Sequence, residues 1–240
     1  MSTLITDPTD TGDWAAQTEA RLLAAALPLA GRHGWTSRML AGAAAAVGLS
    51  QAEAELLLPR GAQDLAALLS FRHDEAALTL LANTDPQSLK IRERIANGVQ
   101  ARVAAAMADE AAVRRLMGFF ALPQNVALGA RLSWQSADRI WRWAGDAATD
   151  ENHYSKRAIL AGLLTSTLLV RLANAPADAE RHLQLGIDGV MGYEKFKARA
   201  GGGLSVPGLA ARAAEALGRW RYGTREPAGE PAAEPDATPA

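Results

Sequence analysis

Apolar positions recur at intervals of three and four along most of the chain, and the sustained alternation that marks a half-buried strand is missing. The pattern predicts helices throughout. Trp14–His33 carries Leu22, Leu23, Ala26, Leu27 and Ala30 on one stripe and stops at Gly34, a residue type favoured just past a helix. Short helices over Ser37–Val47 and Ser50–Leu57 are parted by Gly48, Pro59 ends the second, and Gln63–Leu81 follows. Beyond Asp85-Pro86, the helix Gln87–Met107 spaces Ile91, Ile95, Val99, Val103 and Met107 four apart, a regular buried stripe. Helices then fit Asp109–Ala121, Pro123–Ala144, Asn152–Leu172 and Pro176–Arg199, with Pro123 and Pro176 suited to first helical turns. The expectation is an all-α bundle of about nine helices.

Both ends depart from this pattern. Residues 1–13 are polar and predicted to be disordered. Gly201-Gly202-Gly203 forms a flexible tether, after which Val206, Leu209, Ala213, Ala216, Leu217 and Trp220 share one arc of a helix and Arg212, Glu215 and Arg219 another. This region, 201–223, reads as a tethered amphipathic helix that either packs on its own domain or lies at a membrane surface. Residues 224–240 repeat Pro every four positions among acids and cannot build a core.

Composition removes several functions. Lys plus Arg total 25 against 26 Asp plus Glu in 240 residues, so no global basic excess holds a polyanion. There is no cysteine, which excludes disulfides, thiolate zinc sites and a Cys nucleophile and fits a reducing compartment. The first fourteen residues have three Asp and no Lys or Arg, so they resemble neither a secretory signal nor a transit peptide, and a cytosolic start is expected. The most apolar run, Ala158–Val170, is too short and too interrupted by Thr165, Ser166 and Thr167 for a bilayer span, which needs about 20 apolar residues.

The first helices, one long and two short around a tight turn, have the layout of a helix-turn-helix unit of the TetR regulator type. In that layout the third helix enters the major groove. Here it reads Ser50-Gln-Ala-Glu-Ala-Glu-Leu-Leu-Leu58, with Glu53 and Glu55 and no Lys or Arg, so phosphates would be repelled. Residues 14–81 therefore read as a degenerate helix-turn-helix region and residues 82–200 as a ligand-binding helical bundle.

One polar interruption stands between two apolar helices: GDAATDENHYSKR, residues 145–157. Asp146, Asp150 and His153 would share a face of a continuous helix, but Gly145 and the Ala147-Ala148-Thr149 run suggest a turn. No His-x-x-x-His or Glu-x-x-His pair exists, and the other histidines are isolated, so no metal is expected. Nucleophile-elbow, P-loop and dinucleotide motifs are also missing. Asp150 suits an N-cap and Glu151 a first turn. Trp134, Trp141, Trp143 and Tyr154 cluster beside this corner, either closing the end of the core or forming an aromatic docking surface.

Ala121-Leu-Pro-Gln-Asn-Val126, Asp138-Arg-Ile-Trp141, Ala144-Gly-Asp146, Thr149-Asp150, Asn152, Tyr154 and Lys156-Arg-Ala158 together resemble the signature of the ubiquinone (coenzyme Q) biosynthesis accessory lipid-binding family, that of the ninth-named coenzyme Q protein. The resemblance extends more loosely from Gly34-Trp-Thr36 to about Arg199. It implies a TetR-like helical fold that has given up DNA, binds isoprenoid lipids in its C-terminal bundle and presents quinone intermediates to a pathway hydroxylase without catalysis of its own. It places a docking surface at Asp138, Ile140, His153 and Tyr154, where His153 replaces the Trp that members commonly carry, and membrane contact at Leu209, Ala213, Leu217 and Trp220. The residues themselves allow a deep apolar slot lined by Leu160, Leu163, Leu164, Thr167 and Leu168, or equally a filled core. Expected partners are an isoprenoid quinone lipid, a quinone-pathway hydroxylase, the membrane surface and, as a candidate, a second copy of the chain. No catalytic cofactor, metal or nucleic acid is expected. The protein reads as bacterial, cytoplasmic and peripherally associated with the inner membrane, and a ligand-responsive TetR-type transcriptional regulator is the alternative.

Overall fold

A computed structural model describes the backbone of residues 8–146 and 151–199. Among these residues every regular element is helical: α1 Pro8–His33, α2 Ser37–Ala46, α3 Gln51–Leu57, α4 Ala62–Leu80, α5 Ile91–Met107, α6 Glu110–Phe120, α7 Val126–Trp143, α8 Glu151–Ala173 and α9 Pro176–Arg199. The tether, the amphipathic helix and the Pro-rich tail, with Leu209, Ala213, Leu217 and Trp220, lie outside the described residues. One compact unit runs through Met191, and a second begins at Gly192.

Local chemistry sets the ends. Thr36 caps α2 by accepting from the Met39 N–H, and Ser50 and Glu53 form a reciprocal capping box on α3. α7 stops in a Schellman motif: Gly145 takes φ +88°, its N–H donates to the Arg142 carbonyl, and the Asp146 N–H reaches back to the Trp141 carbonyl.

Three boundaries differ from expectation. α1 begins at Pro8 rather than Trp14, since proline suits a first turn. Pro28 also sits inside it, exposed, where the missing hydrogen bond faces solvent. Residues 86–90 do not join α5. Asp85 caps a single 3₁₀ turn at Pro86–Ser88, and Lys90 is extended, so α5 starts at Ile91. Pro123 lies in a turn instead of opening α7, because buried Asn125 accepts from Gln63 and donates to the Phe119 carbonyl, holding residues 121–125 out of the helix.

The core is one cluster running from Leu22 and Ala26 of α1 through Leu65 and Leu69 of α4, Val99 of α5 and Val113 of α6 to Leu160 and Leu183 of α8 and α9. α1 packs on α2, α4 and α6, while α5 and α7 pack on each other and each on both α4 and α8. Alanine-rich faces allow close approach, closest at Gly98 of α5: a methyl built there would fall 2.4 Å from Ile140 Cγ2 on α7. Gly98→Ala gains about 1 kcal/mol of helix propensity. It also forces a buried, χ1-stiff isoleucine to move, and overpacking of this kind costs about 1–3 kcal/mol. The expected outcome in thermal unfolding is a lowered Tm, whereas an unchanged or raised Tm would show that α5 and α7 are not in contact at this point.

Candidate functional site

Two features meet on α7. The first is the polar corner. Arg157 of α8 is 1% exposed, and its Nε donates to Asp138 Oδ1 at 2.6 Å and its Nη1 to Asp146 Oδ2 at 3.1 Å and to the His153 carbonyl at 3.2 Å. Lys156 donates to the other Asp146 oxygen at 2.9 Å and lies 5.4 Å from the Trp141 ring, whose Nε1–H donates to the Lys156 carbonyl. Burial pushes the Asp146 carboxyl up, but the hydrogen bonds and charges of Lys156 and Arg157 outweigh it and hold the group below the usual carboxylate value.

The expected docking residues divide here. Tyr154 is 65% exposed with its ring 6.1 Å from that of Trp134, and His153 stands edge-on to Tyr154. Asp138 is half-buried under Arg157 and Arg142. Ile140 belongs to the core, turned against Gly98 and away from solvent.

The second feature is a half-open cavity of about 760 Å³ bordered by α4 to α8. Its walls are mostly apolar: Val113, Leu116 and Phe120 of α6, Gly129 and Leu132 of α7, and Ala161, Gly162, Leu164 and Leu168 of α8. Val126 and Leu169 line it while remaining 52% and 48% exposed, which marks an apolar rim. Of the residues expected to line a slot, Leu164 and Leu168 do so. Leu160 is buried in the core, and Leu163 reaches α9, where a methyl on Gly186 would meet its Cδ1 at 2.4 Å. Thr167 is buried, with its hydroxyl unpartnered and outside the cavity wall.

Sequence reasoning missed the polar end of this cavity. Ser70 and His73 of α4, Arg102 of α5 and Ser136 of α7 line it, and all four are buried. Asp74 organises them, accepting from Arg102 Nε at 2.5 Å and Ser136 Oγ at 2.6 Å, while Arg102 Nη2 donates to Ser70 Oγ. His73 Nε2 lies 2.8 Å from Asp109 Oδ2, which also takes Arg72 at 2.5 Å. Burial, with the charge of Arg102, pushes the His73 imidazole down to about 4 against the pull of Asp109. A signal existed: Arg72-His-Asp-Glu75 spans about 300° of a helix, so one of these ionisable groups had to face inward.

Among the described residues, then, the fold defines an all-helical bundle with an apolar cavity bounded by a buried polar cluster and flanked by a salt-bridged corner. The family model of COQ9 matches residues 126–192, the segment from α7 through the corner and α8 into α9. The chain is similar to the mitochondrial ubiquinone biosynthesis protein COQ9 of Rattus norvegicus, with 31% identity over 80% of this chain and 65% of that protein. The corresponding proteins of Bos taurus and Homo sapiens are 30% and 29% identical, over 80% of this chain and 64% of each. The match thus spans less than two thirds of these relatives' length. They are mitochondrial animal proteins and give the expectation of a bacterial source no support. Among the described residues no helix is long and apolar enough to cross a membrane.

The native value of the His73 imidazole lies below the ordinary 6.5, so the unfolded chain takes up the proton first, and the stability it contributes is complete above pH 6.5 and lost as pH falls toward about 4. The loss amounts to about 3 kcal/mol across that window. Urea unfolding of wild type and His73→Gln at pH 7 and 4.5 checks this: the wild type should lose more stability on acidification than the variant, and equal losses would mean that His73 is not depressed in the native protein.

Proposed function

We propose that this chain is a non-catalytic, lipid-binding accessory protein of ubiquinone biosynthesis that holds isoprenoid quinone intermediates and presents them to a pathway hydroxylase at a membrane. The observation that carries the reading is the cavity. Its volume of about 760 Å³ falls within the range of ligand sites, about 300–1,000 Å³, and its rim at Val126 and Leu169 leaves apolar surface where a chain could enter. The relatives' name supplies the pathway. Exposed Tyr154 against half-buried Trp134, beside Asp138, is the aromatic, charge-flanked surface that a docking partner favours.

Absence of catalysis rests on how the polar groups are engaged. The Ser166 hydroxyl donates to the Leu163 carbonyl, so His182 Nε2, 2.9 Å away, is the donor to Ser166 and not its base. Asp74 and Asp146 are each held by cations. DNA binding is disfavoured by α3, whose Glu53, Glu55 and Leu56 are exposed and which has no Lys or Arg. The TetR-like comparison for α1 to α3, membrane contact through residues 206–222 and a homodimer belong to the same proposal.

Native mass spectrometry with lipid extraction on protein purified from a quinone-producing host tests the reading. Wild type should carry an isoprenoid quinone or precursor. Gly162→Leu, which adds a bulky side chain at an exposed point of the cavity lining, should carry at least severalfold less. Protein that remains lipid-free when challenged with such lipids would contradict it.

A further inference from the structure

The apolar walls explain a chain but not which end of a ligand goes where, and the hydrogen-bond inventory at the α4–α5 end supplies that. We infer that His73 and Arg102 form the head-group subsite of the cavity, receiving the hydroxyl and ring oxygens of an uncharged oxygenated aromatic ring whose apolar chain runs along α6 and α8. The inference rests on the lipid-cavity reading above and deepens it.

Most polar atoms around the cavity are already engaged. The Ser136 proton goes to Asp74, and the Thr165 and Ser166 hydroxyls turn back on the Ala161 and Leu163 carbonyls of their own helix. Asp74 takes Arg102 and Ser136 and faces Arg139 at 3.8 Å. Two atoms differ. Arg102 uses Nε and Nη2 on Asp74 and Ser70, and its Nη1 has no hydrogen bond among the described residues. His73 faces the Asp109 carboxylate through Nε2, and a carboxylate only accepts, so Nε2 carries the proton and Nδ1 is an acceptor without a partner among the described residues. Both residues are more than nine-tenths buried and both form the cavity wall. Among the described residues Thr167 Oγ1 is the one fully buried side-chain polar atom without a partner, so these two atoms open on the cavity, and a donor and an acceptor on one wall are what a hydroxyl-bearing ring satisfies.

Charge narrows the class. Arg72, Arg102 and Arg139 are matched by Asp109, Asp74 and Glu75, so the cluster has no surplus cation for a phosphate or carboxylate head. The imidazole, pushed down to about 4, adds none near neutrality. Location agrees with presentation. Ser70, Leu132 and Trp134 line this cavity and also an open groove that includes Asp138 and Arg142, so the head-group end adjoins the surface proposed for docking.

The test uses the full chain and three probes that share one tail: 2-farnesylphenol, its methyl ether and farnesene, titrated by tryptophan fluorescence. Wild type should bind the phenol about three- to tenfold tighter than the ether, the worth of one hydrogen bond. His73→Gln keeps the amide N–H to Asp109 but has no acceptor at the Nδ1 position; it should abolish that preference and leave farnesene affinity unchanged. Arg102→Lys, which retains a cation for Asp74, should weaken the phenol and the ether alike by a similar factor and spare farnesene. A phenol preference that survives in His73→Gln, or equal affinities for phenol and ether in wild type, overturns the subsite while the cavity stands. Failure of all three probes to bind overturns both.

Discussion

Arg157 is the group on which the arrangement depends. It lies on α8, almost wholly shielded from water, and it binds one carboxylate within α7 and another just past its end. Desolvating a cation is expensive, and two carboxylates with a backbone carbonyl offset that cost only while the helices keep this spacing. Removing one member of such a buried set leaves an uncompensated charge worth about 3–5 kcal/mol. The polar interruption between two apolar helices is therefore a fastening. It fixes α8 against α7, which places Leu164 and Leu168 on the cavity wall and leaves Tyr154 outward beside Trp134.

The same chemistry is handled differently at the two polar places in the bundle. At the corner, Asp146 is held by Lys156 and Arg157, and its depressed carboxyl reflects that it serves as a charged anchor. At the cavity end, Asp74 and Asp109 each fix a partner through one atom and leave another atom of that partner unengaged, Nη1 of Arg102 and Nδ1 of His73. The first arrangement gives rigidity. The second suits recognition, since polar atoms that open on the cavity with no internal partner favour a ligand that completes them. The α7 helix connects the two, contributing Asp138 to the corner and Ser136 to the cavity end.

Much of the helical plan is legible in the sequence because its punctuation is local. Gly34, Gly48 and Gly145 each take a positive φ and each closes a helix or turn, and the four-residue spacing of Ile95, Val99 and Val103 marks a buried face of α5. Where expectation failed, a longer-range contact decided. Pro123 looks like a helix start until Asn125 is seen to bind Gln63 on α4, and Ile140 looks available until Gly98 is seen to receive it. The cavity was only half legible. α8 is apolar on several sides, so periodicity alone cannot say that Leu164 faces empty space while Leu160 and Leu163 face neighbouring helices. His73 and Arg102 belong to no motif and come from different helices, and only packing brings them to one wall.

The most direct check of the account is a crystal structure of the protein with 4-bromo-2-farnesylphenol, in which anomalous scattering locates the ring independently of the chain. The account predicts a bromine peak inside the cavity at the end lined by His73 and Arg102, with the farnesyl chain beside Leu164 and Leu168. A peak confined to the outer surface, with those leucines closed over a filled core, would contradict it.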